Sequence, residues 1–185
     1  MKKIILASNS PRRRELLAGL GYDFEVRVKS GIDESFPDSL PVYEVAEYIS
    51  QKKAKAYDVA DDEILVTADT IVVLGNDVLG KPKDEADARH MLHALSGNTH
   101  QVITGCCIKT VGKTLHFSTV TDVTFRRLTD GEIDHYIKQY KPFDKAGSYG
   151  IQEWIGYIGV TSISGSYFNV MGLPVQRIYD ALQSL

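Results

Sequence analysis

The sequence predicts an α/β protein, a mixed β-sheet flanked by helices. Three observations carry this. Short apolar runs that suit buried strands alternate with stretches of helical periodicity. The segments 102–111 and 114–125 read as a long hairpin about "VGK". No internal repeat, low-complexity tract or obvious linker breaks the alternation. A chain of 185 residues can bury a real core, so it is read as one domain, residues 1–185, with two lobes around a cleft.

Each element has a local reason. "KIILAS" is a short apolar run, long enough for a buried strand. Ser10 then suits an N-cap, with Pro11 at the first helical position, where its missing N–H costs nothing. Leu16, Leu17 and Leu20 give this helix an apolar stripe, and Gly21 is a natural stop. In "DFEVRVKS" the alternation of Phe24, Val26 and Val28 predicts a half-buried strand, followed by a polar loop carrying acids. A helix is expected from Val42 to Tyr57, with Val45, Ala46 and Ile49 inward. "EILVTADTIVVLG" reads as two apolar runs broken at Ala68-Asp69. "GND" turns the chain, and "VLGKP" leads to a helix from Asp84 to Leu95. Another helix is expected from Thr129 to Tyr140, then the loop "KPFDKAGSYG", a strand region ending near Val160, and a last helix after Pro174.

Bulk composition narrows the function classes. At 43% hydrophobic and 24% charged residues, the chain reads as an ordinary soluble globular protein. A net charge of -3 argues against coating a nucleic-acid polymer, although a local basic cluster can still meet a small anion. No apolar run approaches a membrane span. The apolar core of "MKKIILASNSP" is too short for a signal peptide, and arginines follow at once, so a cytoplasmic location is expected. Cys106 and Cys107 are adjacent, which suits neither a disulfide framework nor the usual zinc spacings; they read as reduced core or strand residues.

Three stretches stand out chemically. In "LASNSPRRREL", three arginines open a helix whose free N–H groups and dipole already favour an anion. Successive helical residues point about 100° apart, so the three cannot share one ligand. Arg12 and Arg13 are the candidates for phosphate, with Arg14 solvated; taken alone, the motif fits three surface arginines equally well. In "VTADTIVV", Asp69 interrupts an apolar double strand, and a carboxylate there needs a partner, hydrogen bonds or a metal. The bland alternative is a capped turn. In "DKAGSYGIQ", glycines allow backbone to approach a ligand closely, and Lys145 could meet a phosphate or stay solvated, as could Lys81 in "LGKP". His90 and His93 lie three apart on a predicted helix but lack a third ligand, and "ARHMLHAL" reads better as amphipathic. Neither a P-loop nor a G-x-S-x-G elbow occurs.

Taken together, "SNSPRRRELL", "ADTIVV", "GKP", "DKAGSYGIQ" and "GSYFNVMGLP" resemble the Maf family of nucleoside triphosphate pyrophosphatases, in order and over essentially the whole chain. The resemblance implies a fold related to the inosine triphosphate pyrophosphatases. It implies hydrolysis of a nucleoside triphosphate to the monophosphate and pyrophosphate with a divalent metal, Mg²⁺ or Mn²⁺, usually in a homodimer, and a role in sanitising the nucleotide pool. On this resemblance Asp69 is proton acceptor, metal ligand or both, and Glu34 helps to hold the metal. Ser8, which opens the first motif, is assigned to substrate, and Arg13, Lys53, Lys81 and Lys145 match basic positions that would meet the triphosphate. Lys53 lies among other lysines, which leaves its register open.

Arg12, Thr70 and Gln152 match the branch that hydrolyses dTTP and UTP. One amide at Gln152 supplies a donor and an acceptor, which suits the imide edge of uracil or thymine. Without the family match, Gln152 would read as a strand-end amide paired with backbone. Trp154 could line a base pocket, a dimer contact or the core. Two alternatives stand beside this reading. One is a nucleotide-binding regulator of septum formation with little turnover and an unknown division-related partner. The other is the same chemistry on 7-methyl-GTP or inosine triphosphate.

Overall fold

The computed structural model of the chain describes residues 2–185. The expected α/β fold, a mixed sheet flanked by helices, is present. The chain divides into two compact units. The first holds the residues up to Thr70, Thr104–Thr119 and Gly172–Leu185; the second holds Ile71–Ile103 and Val120–Met171.

In the first unit, strand β1 (Lys3–Leu6) runs parallel to β2 (Phe24–Val26) and to the start of β3 (Glu63–Leu74). Ile4, Ile5 and Leu6 are buried, as a strand with parallel neighbours on both sides requires. Helix α1 (Pro11–Ala18) begins as its sequence dictates: Ser10 is extended and its side chain accepts from the Arg13 N–H. Helix α2 (Val45–Lys55) follows a 3-10 turn and buries Val45, Ala46 and Ile49. Strands β5 (Thr99–Lys109) and β6 (Thr114–Phe125) meet at a turn closed by the Thr110 N–H on the Lys113 carbonyl, the expected hairpin.

Two contacts fix α2 on the sheet. A Cβ at Gly105 of β5 would lie 2.2 Å from the Ala46 carbonyl carbon, so only glycine lets the helix come this close. One turn further along, the Thr67 hydroxyl of β3 donates to the Ser50 carbonyl at 2.7 Å. At its far end, Lys29 donates to the Ala56 carbonyl and Lys109 to those of Ala54 and Tyr57, satisfying acceptors and the dipole together. Helix α7 (Val175–Gln183) also belongs to this unit.

In the second unit, the end of β3 pairs antiparallel with β4 (Asp77–Leu79), and the end of β6 with β7 (Val160–Ser164). Helices α3 (Glu85–Leu95) and α4 (Asp130–Tyr140) start on side-chain caps from Asp84 and from a Thr129–Glu132 capping box. Their inner faces share a core with Phe125, Tyr149 and Ile151. Two shorter helices, α5 (Trp154–Gly159) and α6 (Tyr167–Met171), complete it.

The structure corrects several expectations. Residues 63–74 form one unbroken strand through Asp69, because that side chain finds a partner without leaving the ladder. The region before Val160 is a helix, and the strand begins there rather than ending. The strand at Phe24 stops at Val26, and Val28 is exposed. Helix α1 stops at Ala18, with Gly19 as its cap in place of Gly21. Both cysteines are buried in β5. No helix among the described residues is long and apolar enough to cross a membrane.

His100 is the most consequential buried polar group of the second unit. Its Nε2 lies 2.6 Å from the Tyr149 hydroxyl, its ring stacks on Phe125, and its Nδ1 has no hydrogen-bond partner. Burial pushes its pKa down from 6.5 to about 4. The unfolded chain therefore binds more protons between those values, so this stability is complete above pH 6.5 and is lost as pH falls towards 4. Glu63, held down to about 2 by Arg27, adds pH dependence only below about 4.5, where its stabilisation begins to be lost. Denaturant titrations should show about 3 kcal/mol lost between pH 7 and pH 4 through His100. A His100→Gln variant, less stable at pH 7, should have a flatter profile in that window.

Candidate active site

The site in the first unit is assembled where β1 ends and β3 continues. The β1–β3 ladder closes with Leu6 opposite Val66 and the Ala7 N–H on the Val66 carbonyl. Asp69, three residues further along β3, has passed the end of its parallel neighbour β1 and is partly exposed in an otherwise mostly buried strand. This differs from an acid at a strand terminus, yet it gives the same result: a carboxylate beyond the carboxyl end of a parallel strand.

Asp69 meets Lys53 of α2, with Oδ1 2.7 Å from Nζ, and both side chains are 14% exposed. The same ammonium reaches Glu34 Oε1 at 3.0 Å. Its neighbour Lys52 faces away to Asp33 and Ser35, and that pairing holds the Asp33 carboxyl well below the usual range. The register left open by the lysine cluster is thus resolved by the helix turn: Lys53 serves Asp69, and Lys52 serves the loop.

Arg13 braces the same strand from the other side. Its Nε donates to the Gly172 carbonyl at 2.8 Å, Nη1 to the Ala68 carbonyl at 3.0 Å and to Ser8 Oγ at 3.5 Å, and Nη2 to Thr70 Oγ1 at 3.1 Å. Four of the five guanidinium N–H groups thus engage protein acceptors, which flank Asp69 on both sides. Thr70 accepts from Arg13, and its hydroxyl also shares a 2.9 Å hydrogen bond with that of Thr104. Burial lowers the Arg13 pKa, and the charge of Asp69 opposes that shift. Arg12 is half-buried and close enough to act electrostatically on Arg13, whereas Arg14 is exposed and reaches Asn9.

The remaining candidates belong to the second unit. Lys81 is exposed beside Gly80, whose carbonyl accepts the Gly147 N–H. Lys145 is buried between Asp144 Oδ1 at 2.9 Å and Glu153 Oε1 at 3.2 Å. Gln152 is half-buried, with its Oε1 buried and without a hydrogen-bond partner. Trp154 packs edge-on against His135 beside the core. His90 is exposed, and His93 approaches Asp130 at 3.6 Å. Sequence reasoning missed Thr104, Glu153 and Tyr136. Glu153 stands next to Gln152 in a glycine-rich turn, a signal that could have found it, whereas Tyr136 has the spacing of a core residue.

Among the described residues, no group of three His, Cys, Asp or Glu side chains is placed to hold a metal by itself. Asp69 and Glu34 instead present two carboxylates converging on one point. That suits Mg²⁺ or Mn²⁺, which take one or two carboxylates and complete their shell with phosphate and water oxygens.

The fold and this cluster define an α/β protein with an acid–lysine–acid site beside a buried arginine brace. The Maf-like protein family matches residues 3–185, and the chain belongs to that family. A dTTP/UTP pyrophosphatase from Phocaeicola vulgatus is 63% identical over 185 residues, which cover 99% of this chain and 96% of that relative. A dTTP/UTP pyrophosphatase from Parabacteroides distasonis is 60% identical over 183 residues, covering 98% and 95%. Among solved structures, a HAM1 protein from Coxiella burnetii superposes with a TM-score of 0.50 at 17% identity and full coverage of both chains, a likeness of fold alone.

The arginine brace makes a prediction about stability. Arg13→Lys keeps the charge but cannot reach Gly172, Ala68 and Thr70 together, and should cost about 2–3 kcal/mol in denaturant unfolding. Arg14→Lys, on the exposed face, should stay within about 0.5 kcal/mol of the parent.

Proposed function

We propose that this chain hydrolyses nucleoside triphosphates to the monophosphate and pyrophosphate, with dTTP and UTP preferred. The observation that carries the reading is the Asp69–Lys53–Glu34 cluster: two carboxylates held by one lysine, beside a braced strand. Water attacks the α-phosphorus, the α–β anhydride bond breaks, and pyrophosphate leaves. Asp69 takes the proton of the attacking water, and its rigid strand keeps Oδ1 and Oδ2 in a fixed orientation. Asp69 and Glu34 would hold a divalent ion, Mg²⁺ or Mn²⁺, which would polarise phosphate oxygens and offset the charge of the tail. Lys53, held at these two carboxylates, is placed to donate to a phosphate oxygen. Arg12, Ser8 and the free N–H of Arg13 are further donors to the tail, with Lys81 and Lys145 assigned to the same task.

Base preference is assigned to Gln152, with Arg12 and Thr70. A buried acceptor without a protein partner is costly, and the N3–H of thymine or uracil would satisfy the Gln152 Oε1. One methyl group is worth only about 1–3 kcal/mol in an apolar pocket, so both pyrimidines are accepted. We assign the protein to the cytoplasm as a homodimer that sanitises the nucleotide pool; sedimentation tests the dimer.

Purified protein with Mg²⁺ or Mn²⁺ should release pyrophosphate, and little orthophosphate, from dTTP and UTP ahead of CTP, GTP, ITP and 7-methyl-GTP. Asp69→Asn should lower kcat/KM at least about 100-fold, and excess chelator should abolish turnover. Gln152→Glu should move preference away from dTTP and UTP. Nucleotide binding without turnover would sink the enzymatic reading and favour a regulator.

A further inference from the structure

A chain of contacts in the second unit has no part in the scheme above, and it ends on a lysine that does. Tyr136 of α4 is fully buried, which is costly for a hydroxyl without partners. It has two: it donates to Glu153 Oε2 and accepts the Gly150 N–H at 3.0 Å. Burial and the neighbouring carboxylate both raise the Tyr136 pKa, which keeps the hydroxyl a donor. The other oxygen of Glu153, Oε1, lies 3.2 Å from Lys145 Nζ. Gly150 closes the arrangement. A Cβ there would fall 3.0 Å from Lys145 Cε and 3.1 Å from Glu153 Cδ, so the lysine stem lies directly across the bare glycine.

The backbone leading into this turn is over-determined. Gly147 and Ser148 both adopt positive φ, 69° and 62°, and Ser148 is a non-glycine residue in that strained region. Gly147 is held by the Gly80 carbonyl and packs where a Cβ would strike Val72, and Ser148 Oγ lies 3.1 Å from Met91 Sδ. A lysine only 9% exposed, on a stem confined by a strained turn and a half-buried carboxylate, has little rotamer freedom left.

From this geometry we infer that Tyr136 and Glu153 are positioning residues that hold the Lys145 ammonium ready for the phosphate tail. They act through Lys145 and touch no substrate. The inference rests on the proposed triphosphate reading, because Lys145 must have a polyanion to meet. Pre-setting a flexible lysine removes an ordering cost from binding, so the effect falls on KM more than on kcat.

A double-mutant cycle tests it. Tyr136→Phe removes the hydroxyl and should raise the KM for dTTP about tenfold while kcat stays within about threefold. Lys145→Met should raise KM at least as much. In the Lys145→Met background, adding Tyr136→Phe should change KM less than about twofold, because the tyrosine then has nothing to position. Independent effects that multiply in the double variant, or a fall in kcat at unchanged KM, would overturn the inference and leave Tyr136 a core residue. If Tyr136→Phe does not fold, Glu153→Gln replaces it in the same cycle. Calorimetric binding of inorganic tripolyphosphate, which has no base and needs no turnover, provides a second readout with the same expected non-additivity. Wild-type protein that binds and hydrolyses while the cycle is additive rejects the positioning role alone. Wild-type protein that neither hydrolyses nor binds tripolyphosphate rejects both readings.

Discussion

The structure of the first unit turns on one requirement, that a carboxylate set into an apolar strand be compensated where it stands. Asp69 and Thr70 interrupt a strand that is otherwise buried from Ile64 to Val73, and Asp69 itself is only 14% exposed. Two charges at 4 Å near a protein surface attract by roughly 4 kcal/mol, comparable to the several kcal/mol lost on removing a carboxylate from water. Lys53 therefore has to arrive from α2 at the right turn. Gly105 under Ala46 and Thr67 under Ser50 are what bring it there. The helix position is thus set by small residues of the sheet, and the charge pair follows from the helix position.

Arg13 solves the complementary problem of the backbone. The strand loses its parallel neighbour after Val66, and the carbonyl of Ala68 needs a donor that the missing strand would have given. The guanidinium provides it, and in the same gesture reaches Thr70 and Gly172. An arginine can do this because its five donors lie in one rigid plane, where a lysine has a single point charge. The capped start of α1, with Ser10 outside and Pro11 inside, fixes where that plane begins.

Much of this was legible in the sequence, and the failures have physical causes. The Ser-Pro entry to α1, the apolar run of β1 and the turn of the β5–β6 hairpin are local signals, read from neighbours within a few residues. Asp69 was legible as an anomaly in an apolar run, but not as a mid-strand residue, because its partner lies 16 positions away. Trp154–Gly159 reads as a strand from its alternating apolar residues. It folds as a helix, whose Gly156 passes so close to the Ile151 carbonyl that a Cβ would fall within 1.8 Å of its oxygen, an approach that only the tertiary fold sets. Nothing in a linear pattern distinguishes Tyr136 from Ile133 and Ile137 beside it; only the fold brings Glu153 and Gly150 to its hydroxyl.

Charge explains why these clusters fit a polyanion only in company with a cation. In the first unit, Asp69 and Glu34 stand against Lys53, Arg13 and Arg12, which leaves a single positive charge near the site. A triphosphate tail brings about four negative charges, so one surplus positive charge is too little to hold it in a partly desolvated site. The acids are the reason the balance can change. A divalent ion would be held by Asp69 and Glu34, and its charge would add to that of Lys53, Arg13 and Arg12. In the second unit Lys145 likewise sits between two carboxylates, so its charge is held in position without being exposed. Lysines kept against acids in this way stay ordered before substrate arrives, and they are available only to a ligand negative enough to compete with a carboxylate.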